Sequence, residues 1–269
     1  MIGFNQLVNR YIFSGELHLL EGIHIGSGYG NAETEACVIQ THNETPYIPG
    51  SSLRGALRST VERIAARLDQ FTTCALIDES CNCISVKKKT METFNKKIEK
   101  GENDADLLAW LDSNNQLCDT CKLFGSTAFA SKLKVTDLFQ KASSPLSHVR
   151  FGVGIDRDTE TAKENVLFDM QVVERQQVFQ FEIIAENLEV NDFALLAIGL
   201  LELLNGRIHI GAKSAAGLGK CQLKNPAIQY FDNTTTHKLI TYLTTNAYTP
   251  VNDPTSFLQQ KITSVLEGE

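Results

Sequence analysis

Three groups of residues in this sequence have the types and spacing to do chemistry. The first lies in Pro46 to Leu68, PYIPGSSLRGALRSTVERIAARL, where a Pro-Gly turn and two serines precede a basic amphipathic stretch. From Leu53, the residues Ala56, Leu57, Val61, Ile64, Ala65 and Leu68 recur at helical spacing, so one face is core and the other is free. Ser51 or Ser52 can cap the first turn, and Arg54 and Arg58 then sit one turn apart beside a helix N-terminus whose N–H groups favour an anion. That is the outline of a phosphate site, although an ordinary solvated helix face carries the same charges. The second group is cysteine: five of the seven lie between Cys74 and Cys121. Cys118 and Cys121, at Cys-x-x-Cys spacing, can hold one zinc with two thiolates, and Cys81, Cys83 or Cys74 can complete a tetrahedral site. Free buried thiols are the plain alternative, and a thioredoxin-like redox pair lacks its βαβ context. The third is the glycine-rich loop Gly211 to Lys220, which lets backbone amides and Lys213 approach phosphates closely. It is not a P-loop, because Lys220 is followed by Cys221.

These groups need elements to position them. Tyr11 to Ile25 alternates as a strand with one buried face and runs into a glycine-rich loop, Gly26 to Gly30, whose spacing fits no nucleotide fingerprint. Residues 72–126 read as a Cys-rich insertion containing a short helix that ends near Trp110. Val135 starts a short strand, and the runs from Val149, Val166 and Val178 read as strands separated by charged turns, with a hairpin within 145–180. Asn191 or Asp192 can cap a buried helix, Phe193 to Leu204; Gly206 to Gly211 follows as a strand. A helical tail carries Phe257, Leu258, Ile262 and Val265 on one side, to pack on this domain or on a partner. The 269 residues, 42% apolar, suffice for a single elaborated domain over 1–269 or for two small ones. With no run of eighteen apolar residues and no leader pattern, we expect a cytoplasmic protein without membrane contact, and the cysteine clustering fits a reducing compartment. A net charge of -7 argues against coating nucleic acid by bulk electrostatics, so any such binding rests on a local track of cations.

The string YIPGSSLRGALR, with Cys121-Lys-Leu-Phe-Gly-Ser126 and Arg150-Phe-Gly-Val-Gly-Ile-Asp-Arg-Asp-Thr-Glu-Thr-Ala162, resembles the RAMP superfamily of CRISPR RNA-binding proteins, and more narrowly the backbone subunit of type III effector complexes. The resemblance covers about Leu17 to Leu223. It implies an α+β, ferredoxin-like (RNA-recognition-type) core with a zinc-binding insertion and a β-hairpin thumb. It also implies that Ser51, Ser52, Arg54, Gly55 and Arg58 lie along a guide RNA backbone. In the thumb, which crosses the guide–target duplex, the carried-over residues are Arg150, Asp156, Arg157 and Thr159, with Glu160 where the family commonly has glycine. Lys213 and Lys220 stand in the family's C-terminal glycine-rich loop, interrupted here by Ala215 and Ala216.

The family commonly places an aspartate, its catalytic residue, three positions before the valine of the next strand. Counting back from Val38 puts Glu35 there, with Thr34 before it and Glu33 nearby. Glutamate keeps the carboxylate one methylene further out, and a misplacement of about 1 Å can cost ~100-fold in rate. The resemblance therefore implies a subunit that binds guide RNA, assembles with copies or relatives and other effector subunits, and cuts paired target RNA through Glu35, with a divalent cation such as magnesium. A purely structural guide-binding subunit is the alternative. A processing ribonuclease using His24 or His209 is the third reading, although both histidines fall in strand patterns.

Overall fold

The strand β1 (Asn9–Leu19) buries Phe13, Leu17 and Leu19, which share one face of the pleat. The computed structural model that contains it describes residues 6–30, 34–74, 81–113, 116–141, 147–232 and 236–268. β1 pairs antiparallel with β5 (Val178–Glu186) on one side and β7 (Lys220–Asp232) on the other. β2 (Leu133–Val135) adds beyond β5, and β6 (Ile208–His209) and β8 (Thr249–Pro250) each pair with β7, giving the order β2-β5-β1-β7-β6 in a mixed α+β fold. Gly15 lies at a bulge where a Cβ would stand 2.9 Å from the Lys224 carbonyl.

Helices α1 (Gly50–Ala65), α5 (Val190–Leu204) and α7 (Pro254–Leu266) bring Leu53, Leu57 and Val61, Phe193 and Leu196, and Leu258 into the same core as the buried sheet face. Gly199 lets α5 approach α1, since a Cβ there would meet Val61 at 2.9 Å. The tail thus packs on its own domain, with Phe257 edge-on to Phe193 at 5.5 Å. The insertion holds α2 (Lys88–Glu99), α3 (Asp104–Ser113) and α4 (Asp119–Phe124) around a second core that includes Phe94, Leu107, Leu111 and Phe129. The hairpin is a separate ribbon of β3 (Ser147–Ile155) and β4 (Ala162–Val173); α6 (Thr236–Thr245) precedes the tail.

Several boundaries differ from the sequence expectation. β1 stops at Leu19, where Leu20 and Glu21 turn their N–H groups to the Lys220 carbonyl, and only Ile23 rejoins a strand, bridging to Val173. β6 is cut to Ile208–His209 because Ile210 donates to Gly219 and closes the glycine loop instead. α5 starts earlier than Phe193: Glu189 and Asp192 form a capping box, so neither Asn191 nor Asp192 is its N-cap. α2 was hidden by its polar composition, burying Thr90 and Phe94 alone.

Candidate functional site

Four of the five clustered cysteines meet. Cys74, Cys83, Cys118 and Cys121 are all buried, and their four sulfurs lie within 4.8 Å of one another. Cys74 and Cys121 are 3.6 Å apart and Cys83 and Cys118 3.7 Å, close to the edge of about 3.8 Å expected when four sulfurs surround zinc at ~2.3 Å. Two chain segments are laced together to achieve this: Asp119 accepts from Thr72 N and Oγ1 at 2.8 and 2.7 Å, and Thr120 donates to Thr73 at 3.1 Å. The donor set fits zinc or another thiophilic ion. Cys81 stands outside the four, with its sulfur accepting from Cys83 N at 3.3 Å, because the one-residue spacing cannot bring both thiols inward here. Hydrogen bonds with Cys121 and then Cys74 hold the Cys118 thiol below its ordinary range, against Cys83 and burial, whereas Cys221, buried apart from them, is pushed up to about 12 by burial.

Helix α1 does not start as the serines suggested. Pro49 is its N-cap, Ser51 and Ser52 lie inside the first turn, and Asp137 accepts from Gly50 N at 2.8 Å, so a protein carboxylate already meets the helix end. Ser51 and Gly55 are exposed, and a Cβ on Gly55 would meet open space. Arg54 and Arg58 turn towards the insertion. Arg54 donates to the Phe124 carbonyl, and its buried Nε has no partner among the described residues. Burial, then the neighbouring Arg58, pushes Arg54 below the usual guanidinium range. Arg58 donates to Glu62 at 2.7 Å, to the Gly125 carbonyl at 3.1 Å and to Cys121 Sγ at 3.1 Å. Burial opposes the Arg58 charge, yet the Glu62 and Cys121 contacts raise it above its usual range.

The loop carrying Glu35 is fastened to the thumb. Gly26 and Val38 form a bridge, Cys37 N donates to Tyr29 O at 3.2 Å, and a Cβ on Gly30 would fall 2.6 Å from the Glu35 carbonyl. Asp169 of β4 accepts from Thr34 Oγ1 at 2.7 Å and from Glu35 N at 2.6 Å. Two residues on, Gln171 N donates to Ala36 O at 2.9 Å and its side-chain oxygen accepts from Val38 N at 3.2 Å. Glu35 itself is exposed and its carboxylate makes no ion pair among the described residues. Four hydrogen bonds thus fasten Thr34 to Val38 to β4; Glu33 lies outside the described residues. His24 is buried, and its Nδ1 is 2.7 Å from the Gln171 carbonyl, which can only accept, so this nitrogen carries a proton.

The glycine loop presses on the same place. A Cβ on Gly211 would lie 2.4 Å from the His24 carbonyl, Leu218 packs with Met170 and Val172, and the Lys213 ammonium sits 5.1 Å above the Phe168 ring. Lys220 is exposed on β7 opposite the exposed His209 of β6. Arg150 is exposed along β3 and Arg157 at the thumb tip, where Asp156 accepts from the amides of Asp158 and Thr159 at 2.9 and 3.1 Å. Glu160 has φ +54°, the conformation that glycine adopts without strain. Sequence reasoning missed Asp169 and Gln171, although two polar residues at period two within the apolar run Val166 to Val173 were a signal that one side of that strand meets something polar.

Among the described residues no helix is long and apolar enough to cross a membrane. A family model described as the RAMP superfamily matches residues 16–222. No curated protein matches the chain.

Proposed function

The chain belongs to the RAMP superfamily, and on that premise we propose that it is a guide-RNA-binding backbone subunit of a cytoplasmic type III CRISPR effector complex that cleaves the paired target RNA through Glu35. Its partners are then the guide RNA, the target RNA and other effector subunits, copies of itself among them. The observation that carries the reading is the convergence on β4: the Glu35 loop, the thumb and the glycine loop meet through Asp169, Gln171, Phe168 and Lys213. A duplex crossed by the thumb would pass beside an exposed carboxylate. The strand order β2-β5-β1-β7, all antiparallel, supports the ferredoxin-like core. Its outward face carries Glu16 and Glu182, which argues for an RNA track along α1 and the loops, through Ser51, Ser52, Arg54, Gly55, Lys213, Lys220, Arg150 and Arg157.

In this reading the target's 2′ oxygen attacks the adjacent phosphorus, Glu35 accepts the hydroxyl proton, and the P–O5′ bond breaks. The departing O5′ takes a proton from water, leaving a 2′,3′-cyclic phosphate and a 5′-hydroxyl. A divalent cation such as magnesium, when bound there, supplies charge stabilisation to the phosphate. Zinc is the structural metal, held by Cys74, Cys83, Cys118 and Cys121.

A non-catalytic structural subunit is the second reading, favoured by the Asp169 latch, which fixes the Glu35 backbone and leaves the added methylene uncompensated. In the histidine-based processing reading, burial disfavours His24 and leaves the exposed His209 as the candidate. The assembled complex with labelled target RNA separates them. Glu35→Ala abolishes cleavage and keeps RNA binding; Glu35→Asp is slower if the latch already places the glutamate, and faster if it stands too far out. Equal rates in parent and both variants would remove this subunit as the nuclease.

A further inference from the structure

The two arginines of α1 are equivalent in spacing but not in surroundings. All three edges of the Arg58 guanidinium are occupied: Nε by Glu62, Nη1 by the Gly125 carbonyl and Nη2 by Cys121 Sγ, with the side chain 12% exposed. Glu62, 10% exposed, fixes the plane of the fork, and Ser85 Oγ approaches the same sulfur at 3.0 Å. Four thiolates around a divalent ion leave a formal charge of about minus two. The described cation in contact with those sulfurs is Arg58. Arg54 instead reaches the Phe124 carbonyl and has no carboxylate partner among the described residues. Both arginines thus grip the C-terminal end of α4, the short helix that carries Cys121 and follows Cys118.

We infer that Arg58 is a positioning residue of the sulfur centre and not a phosphate ligand, and that through it and α4 the metal state of the cysteines sets the seat of α1, leaving Arg54 as the cation of this helix that meets RNA. The inference rests on the metal reading above. Groups that hydrogen-bond metal ligands commonly alter affinity by ~10–100-fold. A planar fork that is oriented by a carboxylate presents its N–H to sulfur in one direction only, which lysine cannot reproduce. Losing the metal frees α4, whose carbonyls then no longer hold Arg54 in place.

The test uses the full chain as parent, Arg58→Ala, Arg58→Lys, Glu62→Gln and Arg54→Ala, each checked for fold by circular dichroism with excess zinc. Zinc affinity is read by competition with a chromophoric chelator, the centre by the thiolate-to-cobalt charge-transfer band of the cobalt-loaded protein, and RNA affinity with a short mixed-sequence single-stranded RNA. Arg58→Ala is expected to weaken zinc ~10–100-fold and shift the cobalt band, with Arg58→Lys and Glu62→Gln between it and the parent. Arg54→Ala keeps the parent's zinc affinity and weakens RNA binding. Chelator stripping weakens RNA binding by the parent but adds nothing to the Arg54→Ala loss. Parental zinc affinity and an unmoved cobalt band in Arg58→Ala overturn the inference, as they do in Arg58→Lys and Glu62→Gln should the alanine variant not fold. RNA binding absent from the parent would instead end the RNA reading, and the zinc measurements would still decide the role of Arg58.

Discussion

The sheet sends out two excursions, and they solve the burial problem in opposite ways. The Cys-rich insertion has an interior of its own, in which Phe94, Leu107, Leu111 and Phe129 pack around four buried sulfurs. Among the described residues the thumb has none along its distal half: Phe151, Val153, Ile155 and Leu167 are 68, 45, 66 and 68% exposed, and beyond the Ile23–Val173 bridge at its base β4 pairs with β3. A two-stranded ribbon is marginal in water, so its geometry must be supplied from outside. Part of that support is internal to the chain, where Gln171, Asp169 and Val173 fasten the base of β4 to the loops before α1. The insertion closes on four buried cysteines that could hold a metal ion, whereas the distal thumb leaves its apolar side chains exposed.

The most severe way to break this contrast is to strip the metal or replace Cys121 with Ser. Structural zinc sites contribute on the order of 10 kcal/mol to small modules, more than a module of this size retains by packing alone. Hydrogen exchange followed by mass spectrometry should show protection collapsing over 81–124 while 147–173 keeps its parental rates. Equal loss in both regions would mean that the two excursions are one cooperative unit.

A smaller effect is expected at the thumb base. Asp169→Ala removes the acceptor for both Thr34 Oγ1 and Glu35 N, about 1 kcal/mol for each hydrogen bond and more if either donor is left buried. Loosening this loop should slow target cleavage by ~10–100-fold with RNA affinity kept, since placement of the carboxylate is what changes. Asp169→Asn retains a carbonyl acceptor and should recover much of that loss. An alanine variant that cuts at the parental rate, while Glu35→Ala is dead, would show that the latch does not position the carboxylate.

The insertion was also the more legible of the two in the sequence. Cysteine has few reasons to cluster, so Cys118 and Cys121 advertised a site with cysteines upstream, and which of Cys74, Cys81 and Cys83 join them needed three dimensions. The strands β2, β3, β4 and β5 were readable from period-two patterning, and α5 from its apolar circumference. What could not be read was every contact that depends on distant segments. Arg58 and Cys121 are 63 residues apart, and Asp137, which meets the start of α1, is 87 residues from Gly50. A charged side chain on a helix looks solvated until the element that covers it is known. That is why the contacts of Arg58 with Glu62, Gly125 and Cys121 were not legible and Asp169 was passed over.

The mildest prediction concerns the thumb tip, where no core contributes. Asp156 accepts from the amides of Thr159 and Asp158, in that order of effect, and its carboxyl is held below the ordinary aspartate range. A carboxylate whose folded value is depressed contributes fully above its unfolded value, about 3.9, and loses that contribution as pH falls through the lower folded value. The turn should therefore persist through the ordinary aspartate range and open only in stronger acid. Because Asp156 is exposed, the global melting temperature should not follow this step. The backbone amide resonance of Thr159, followed through an acid titration, reports it directly, and in Asp156→Asn that step should vanish. A Thr159 amide that titrates at the ordinary aspartate value would mean that the turn is not held by this carboxylate, and the strained Glu160, at φ +54°, would then rest on its own N–H bond to the Asp156 carbonyl at 3.0 Å.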